Sequence, residues 1–122
     1  MDAEATVRAY YDALVAEDPL GPFFADATVG KFGIGEHLRG AEAVREGLRA
    51  QTETTTDWAI DSRDLRVQAR DCHAWFTDEV GMAWTDTERG IRFEFDTRWS
   101  GTLERDGDWQ FVGMHVSTAG SV

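Results

Sequence analysis

The apolar residues change their period partway along the chain. Over residues 2–17, Val7, Tyr10, Tyr11 and Leu14 recur at the spacing of one helix face. Asp2 stands where an N-cap is needed, and Pro19 with Gly21 marks the stop. AEAVREGLRAQ, residues 41–51, predicts a second long helix with Ala41, Val44 and Leu48 on one face. Between the helices, PFFADAT predicts a short helical turn and residues 28–34 a first strand. Gly30, Gly33 and Gly35 punctuate its exit without the spacing of a phosphate loop. Beyond the second helix the period becomes two, predicting strands over 58–68, 72–85, 91–104 and 109–118. Helices first, then an antiparallel meander, make one α+β domain over residues 1–122.

Turn chemistry sets an expected register. A hairpin centred on Asp106-Gly107 pairs Glu104 with Trp109 and, counting back, Arg98 with His115. A turn at Glu88-Arg89 pairs Glu79 with Arg98. Glu79, Arg98 and His115 then form a row across three strands, with Glu94 and Asp96 on the same face. The opposite face collects Met82, Trp84, Ile91, Phe93, Phe95, Trp99, Val112, Met114 and Val116.

Charge narrows the partners. Asp and Glu number 23 against 12 Lys and Arg, a net charge of −11, which argues against nucleic acid because phosphates would be repelled. Eleven of the basic residues are Arg and one, Lys31, is Lys. Two explanations stay open: a protein working in high salt, where self-repulsion is screened, or a GC-rich genome that favours Arg codons. No apolar run approaches the ~20 residues of a membrane helix, so no membrane partner is expected. The opening MDAEATVRAYYDAL carries acids and no apolar block, so a cytoplasmic location is the expectation. The lone Cys72 excludes an internal disulfide and reads as a small buried thiol. His37, His73 and His115 are far apart and lack metal-ligand spacing, so neither metal nor cofactor is expected.

Two segments carry a resemblance. The C-terminal pattern is Arg98 opening a strand, Asp106-Gly107, Trp109, and His115-Val116-Ser117 closing the last strand. The N-terminal one is VRAYYDALVAEDPLGPFFADATV. With these the chain resembles the SnoaL-like branch of the nuclear-transport-factor/ketosteroid-isomerase superfamily over nearly its whole length. The resemblance implies a cone, in which a curved antiparallel sheet wraps helices and leaves an open-ended pocket, often in a homodimer. It places Tyr10 at the tyrosine that donates to a developing oxyanion in the isomerases. Their proton-shuttling aspartate falls near Gly30 or Lys31 and their second oxyanion donor near Ser100, so steroid isomerisation by that route is not implied.

On this frame the polar row is assigned to the cone's inner surface. Arg98, Glu79, Trp58, Phe111 and Ser117 are the expected ligand contacts, and His115, Asp96 and Tyr10 the expected catalytic groups. Arg98 offers a planar donor fork and His115 a proton carrier near neutral pH. The competing reading makes Arg98 and His115 a cross-strand pair that only sets register. The expected partners are a small organic ligand with an anionic or enolisable oxygen and a second copy of the chain. Trp84, Phe93, Phe95, Trp99 and Met114, taken as an outer apolar face, would form the dimer contact. Two functions follow from the resemblance: a cofactor-independent isomerase, cyclase or dehydratase, or a non-catalytic binding or association module.

Overall fold

The structure, a computed structural model, describes residues 1–119. Helix α1 is Ala3–Ala16, begun where the Asp2 carboxylate accepts from the Ala5 amide at 2.7 Å. Glu17, in the left-handed conformation with φ 60°, ends it. A 3-10 turn over Gly21–Phe23 leads to strands β1 (Gly30–Gly33) and β2 (Glu36–Arg39). Helix α2 spans Ala41–Thr54. Strands β3 (Thr55–Ser62), β4 (Arg66–Ala69), β5 (His73–Asp86), β6 (Ile91–Asp106) and β7 (Asp108–Thr118) complete one sheet. Its order is β2-β1-β7-β6-β5-β3, with β4 also paired to β5. Every pairing is antiparallel except β1 on β7, which is parallel. The α+β class read from the pattern is the class observed.

Two local departures come from turns. The strand expected over 58–68 is two strands, because the chain bends where the Asp64 amide donates to the buried Asp78 carboxylate at 3.0 Å. Strand β2 is absent from the sequence reading. Ile34-Gly35, with Gly35 at φ 69°, closes a tight hairpin where a simple exit was expected. Cys72 is exposed rather than buried.

The register follows expectation between β5 and β6, where Glu79 faces Arg98. Between β6 and β7 it slips twice. The turn closes on Gly107 alone, pairing Asp106 with Asp108. Then Thr102 pairs with Gly113 while Leu103 pairs with Phe111, which leaves Val112 as an extra residue, a β-bulge. Each slip of one residue exchanges the faces of β7, and the two together restore them. Arg98 and His115 therefore do share a face, but Arg98 lies opposite Ser117 and His115 opposite Ser100.

That face is the outer one, which corrects the assignment made from the sequence. Helices α1 and α2 pack their apolar stripes on the other side, over Val80, Trp99, Met114 and Val116, all buried. Covering the apolar strip removes it from water at roughly 25 cal/mol per Å2, and no arrangement that turns the polar row inward recovers that. Glu79, Asp96, Arg98 and His115 are exposed on the convex surface. Trp99 and Met114, expected in a dimer contact, are core residues, and Trp84, Phe93 and Phe95 are half-buried on the concave side.

Candidate functional site

The concave face encloses a cavity of about 130 Å3. An apolar cavity of about 150 Å3 accommodates a benzene ring, so this one suits a single small ring with the remainder of a ligand at the mouth. Its apolar walls are Leu14 of α1, Trp58 of β3, Met82 and Trp84 of β5, Trp99 of β6 and Val116 of β7. Trp58 reaches the wall because β3 carries a bulge: Thr56 pairs with Thr85 and Ala59 with Ala83, so two residues stand against one. Asp57 absorbs the bend at φ 53°. The Trp58 indole then stacks on Trp84 at 5.1 Å and 17°, and its Nε1 donates to the Thr55 hydroxyl at 2.9 Å.

Three polar side chains meet in this apolar setting. Lys31 faces Met114 across the β1–β7 pairing, on the buried side of the sheet, and is only 6% exposed. Its Nζ donates to Glu36 Oε1 from the facing strand of the hairpin. Gly33 makes that reach possible, since a Cβ there would lie 3.0 Å from Glu36 Oε1. Tyr10 comes from α1, held edge-on by Phe23, Phe24 and Phe111. Burial, reinforced by the Glu36 charge, raises its phenol well above the usual range, so it stays a neutral donor. Among the described residues no protein group hydrogen-bonds its hydroxyl.

Asp78, the one buried carboxylate among the described residues, is committed to the fold instead. Its Oδ2 accepts from the Tyr11 hydroxyl at 2.9 Å and the Ser62 hydroxyl at 2.6 Å, and its Oδ1 from the Asp64 amide. It ties α1 to the sheet.

The residues expected at the site divide between two surfaces. Tyr10 and Trp58 line the cavity. Phe111 is fully buried behind it, packed on Phe24 and Phe76. Asp96 is exposed and paired with Arg63 at 2.7 Å. Arg98, Glu79, His115 and Ser117 border a shallow groove on the convex face. There Arg98 meets only the Ser117 hydroxyl, at 3.5 Å, and makes no ion pair among the described residues. That groove, about 400 Å3, and another of about 650 Å3 between the end of α1 and α2 are larger than the concave cavity. Their charged rims are bathed in water, where a polar contact gains little. The concave cavity is the better site because its polar groups are sheltered and its walls are aromatic.

Lys31 and Glu36 were missed from the sequence. One signal was available: in a chain with eleven Arg, the single Lys is the unusual base. Among the described residues no group of three or more His, Cys, Asp or Glu is placed to hold a metal ion, and no helix is long and apolar enough to cross a membrane.

Comparisons with known proteins agree on one fold. The family model described as a SnoaL-like domain matches residues 3–121. No curated protein sequence matches. Among solved structures, an NTF2-like family protein from Streptomyces avermitilis, provisionally called a dehydratase, superposes with TM-score 0.82 at 18% identity, over 95% of this chain and 93% of that one. A ketosteroid isomerase-like protein from Erwinia carotovora atroseptica gives 0.78 at 19%, over 97% and 94%. A Xanthomonas campestris protein, provisionally called a calcium/calmodulin dependent protein kinase II association domain, gives 0.78 at 18%, over 98% and 86%.

Proposed function

The chain belongs to the SnoaL-like family, and from that premise we propose that its concave cavity binds a small ring-bearing carbonyl compound and moves a proton beside the carbonyl. One observation carries the reading: Lys31, Glu36 and the Tyr10 hydroxyl converge in a cavity walled by Trp58, Trp84 and Trp99. The ion pair is neutral overall, which favours an uncharged, enolisable ligand over a second carboxylate. Tyr10 and Lys31 supply donors for an oxygen that gains negative charge. Glu36 supplies the base for a proton on the adjacent carbon. Proton transfer of this kind underlies isomerisation and dehydration alike.

Acetophenone is a suitable probe, with one ring, one carbonyl and an exchangeable methyl group. It should quench tryptophan fluorescence saturably, since three tryptophans line the cavity. Lys31→Met should weaken its binding about tenfold or more, the scale of one charged hydrogen bond at ~1.5–3 kcal/mol. Glu36→Gln should abolish protein-promoted deuterium exchange of the methyl group, followed by NMR. Equal affinity and equal exchange in all three proteins would refute the reading.

A second reading, self-association, draws on a different strip. Trp84 stacks on Phe93 at 5.4 Å, Phe93 lies parallel to Phe95, and Ile91 at the end of the same hairpin is 43% exposed. This half-covered apolar edge would be shielded in a dimer. Sedimentation velocity at micromolar concentration should give a dimer that Phe93→Glu dissociates; a monomeric wild type would rule this reading out.

A further inference from the structure

We propose that Lys31 forms a covalent imine with aldehydes or ketones that enter the concave cavity. The inference rests on the pocket reading above and names the substrate class more narrowly. Lys31 is the only lysine of the chain, it is buried, and it lines the cavity. A half-buried carboxylate such as Glu36 is best served by Arg, whose planar fork matches it with two hydrogen bonds. This chain uses Arg for every other basic position and departs from it only here. What an amine offers and a guanidinium does not is a nucleophilic nitrogen.

The surroundings supply the rest of the reaction. Nζ already donates to Glu36 Oε1, so one proton can pass along that bond to free the nitrogen lone pair. The amine adds to the carbonyl carbon, and the proton that the nitrogen then sheds passes to the oxygen, giving a neutral carbinolamine. Glu36 then returns a proton to that hydroxyl, which leaves as water as the iminium forms. The Tyr10 phenol, kept neutral by burial and by the Glu36 charge, lines the same cavity and can donate to that oxygen. Trp58, Trp84, Met82 and Val116 shelter the iminium, and water entering at the mouth hydrolyses it back to amine and carbonyl. The iminium withdraws electrons from the neighbouring carbon, so Glu36 can take its proton without any added cofactor.

Reductive trapping tests this. The wild-type chain is incubated with benzaldehyde and sodium cyanoborohydride, and labelling is followed by intact mass and peptide mapping. The N-terminal α-amine is the other primary amine and serves as the internal reference. One benzyl group should appear on Lys31 at least about tenfold faster than on the N-terminus, because the cavity holds the aldehyde beside this nitrogen. Glu36→Gln should slow labelling at Lys31 and leave the N-terminus unchanged. Lys31→Arg should remove the adduct and leave labelling of the N-terminus unchanged. Labelling at Lys31 no faster than at the N-terminus overturns the imine, and this comparison needs no variant. If acetophenone quenches fluorescence but Lys31 does not label, the imine falls and the pocket stands. If acetophenone does not bind either, both fall.

Discussion

Trp99→Ala should cost the fold about 3–5 kcal/mol, the usual range for emptying a buried aromatic site, while Arg98→Met one residue earlier should change stability by less than about 0.5 kcal/mol. Trp99 is 4% exposed and packs edge-on against Tyr10 at 6.2 Å and Tyr11 at 5.3 Å. Its Nε1 donates to the Thr97 hydroxyl at 3.0 Å, which in turn donates to the Val80 carbonyl at 2.6 Å. Truncation removes the ring, opens a hole between α1 and β6, and frees the Thr97 acceptor. A typical domain has only about 5–15 kcal/mol to lose, so Trp99→Glu, which adds a buried charge, should give unfolded or aggregated chain rather than a folded monomer. Urea unfolding of the two neighbours is a direct test of which face is inside. A large loss for Arg98→Met with tolerance at Trp99 would invert the assignment.

Asp78→Ala should destabilise by about 2–4 kcal/mol, because unpaired buried donors cost about 1–3 kcal/mol each. Three donors converge on this carboxylate, from Tyr11, Ser62 and Asp64. Tyr11 is the most deeply placed of them, and its phenol is pushed above the usual range by burial, then by its bond to Asp78 and the carboxylate's charge. Tyr11→Phe removes donor and hydroxyl together and should cost less, about 1 kcal/mol. The ordering Asp78→Ala well above Tyr11→Phe, read from denaturation midpoints, is the expected result. Equal and small losses would show that α1 is held by apolar packing alone. The pair also bears on the cavity, since α1 carries Tyr10 into it.

The fold was legible because its signals are local. The helix period around Val7, Tyr10 and Leu14, the alternation from β5 onward, and the turns near Glu88-Arg89 and Asp106-Gly107 specify elements from neighbours in sequence. The family resemblance placed the same elements in a cone, and the family match and superpositions bear that out. The β5–β6 register also followed from turn counting, because no bulge intervenes between Glu79 and its partner Arg98.

Bulges and burial were not legible in this way. Nothing in VGMHVS announces that Val112 is an extra residue, and nothing in TTDWAI that Asp57 turns Trp58 onto Trp84. The alternation of β6 separates two sets of residues but carries no mark of which set faces the helices. Sequence reasoning gave the polar set to the cavity for the sake of its chemistry. The helices settle the matter by covering the apolar set, since many weak apolar contacts outweigh one row of charges that water solvates well.

What the sequence determined by itself, then, is the order and kind of the elements, the likeness to the SnoaL-like family, the acidic balance and the solitary Lys31. Only the tertiary structure brought Lys31, Glu36 and Tyr10 together. Tyr10 lies far from the other two along the chain, and the β1–β2 hairpin that sets Glu36 diagonally across from Lys31 reads in sequence as a run of glycines. Their meeting depends on β1 joining β7 in parallel and on α1 lying across the sheet. Those are long-range contacts, and no local pattern encodes them because their free energy comes from surfaces that touch only once the chain has closed.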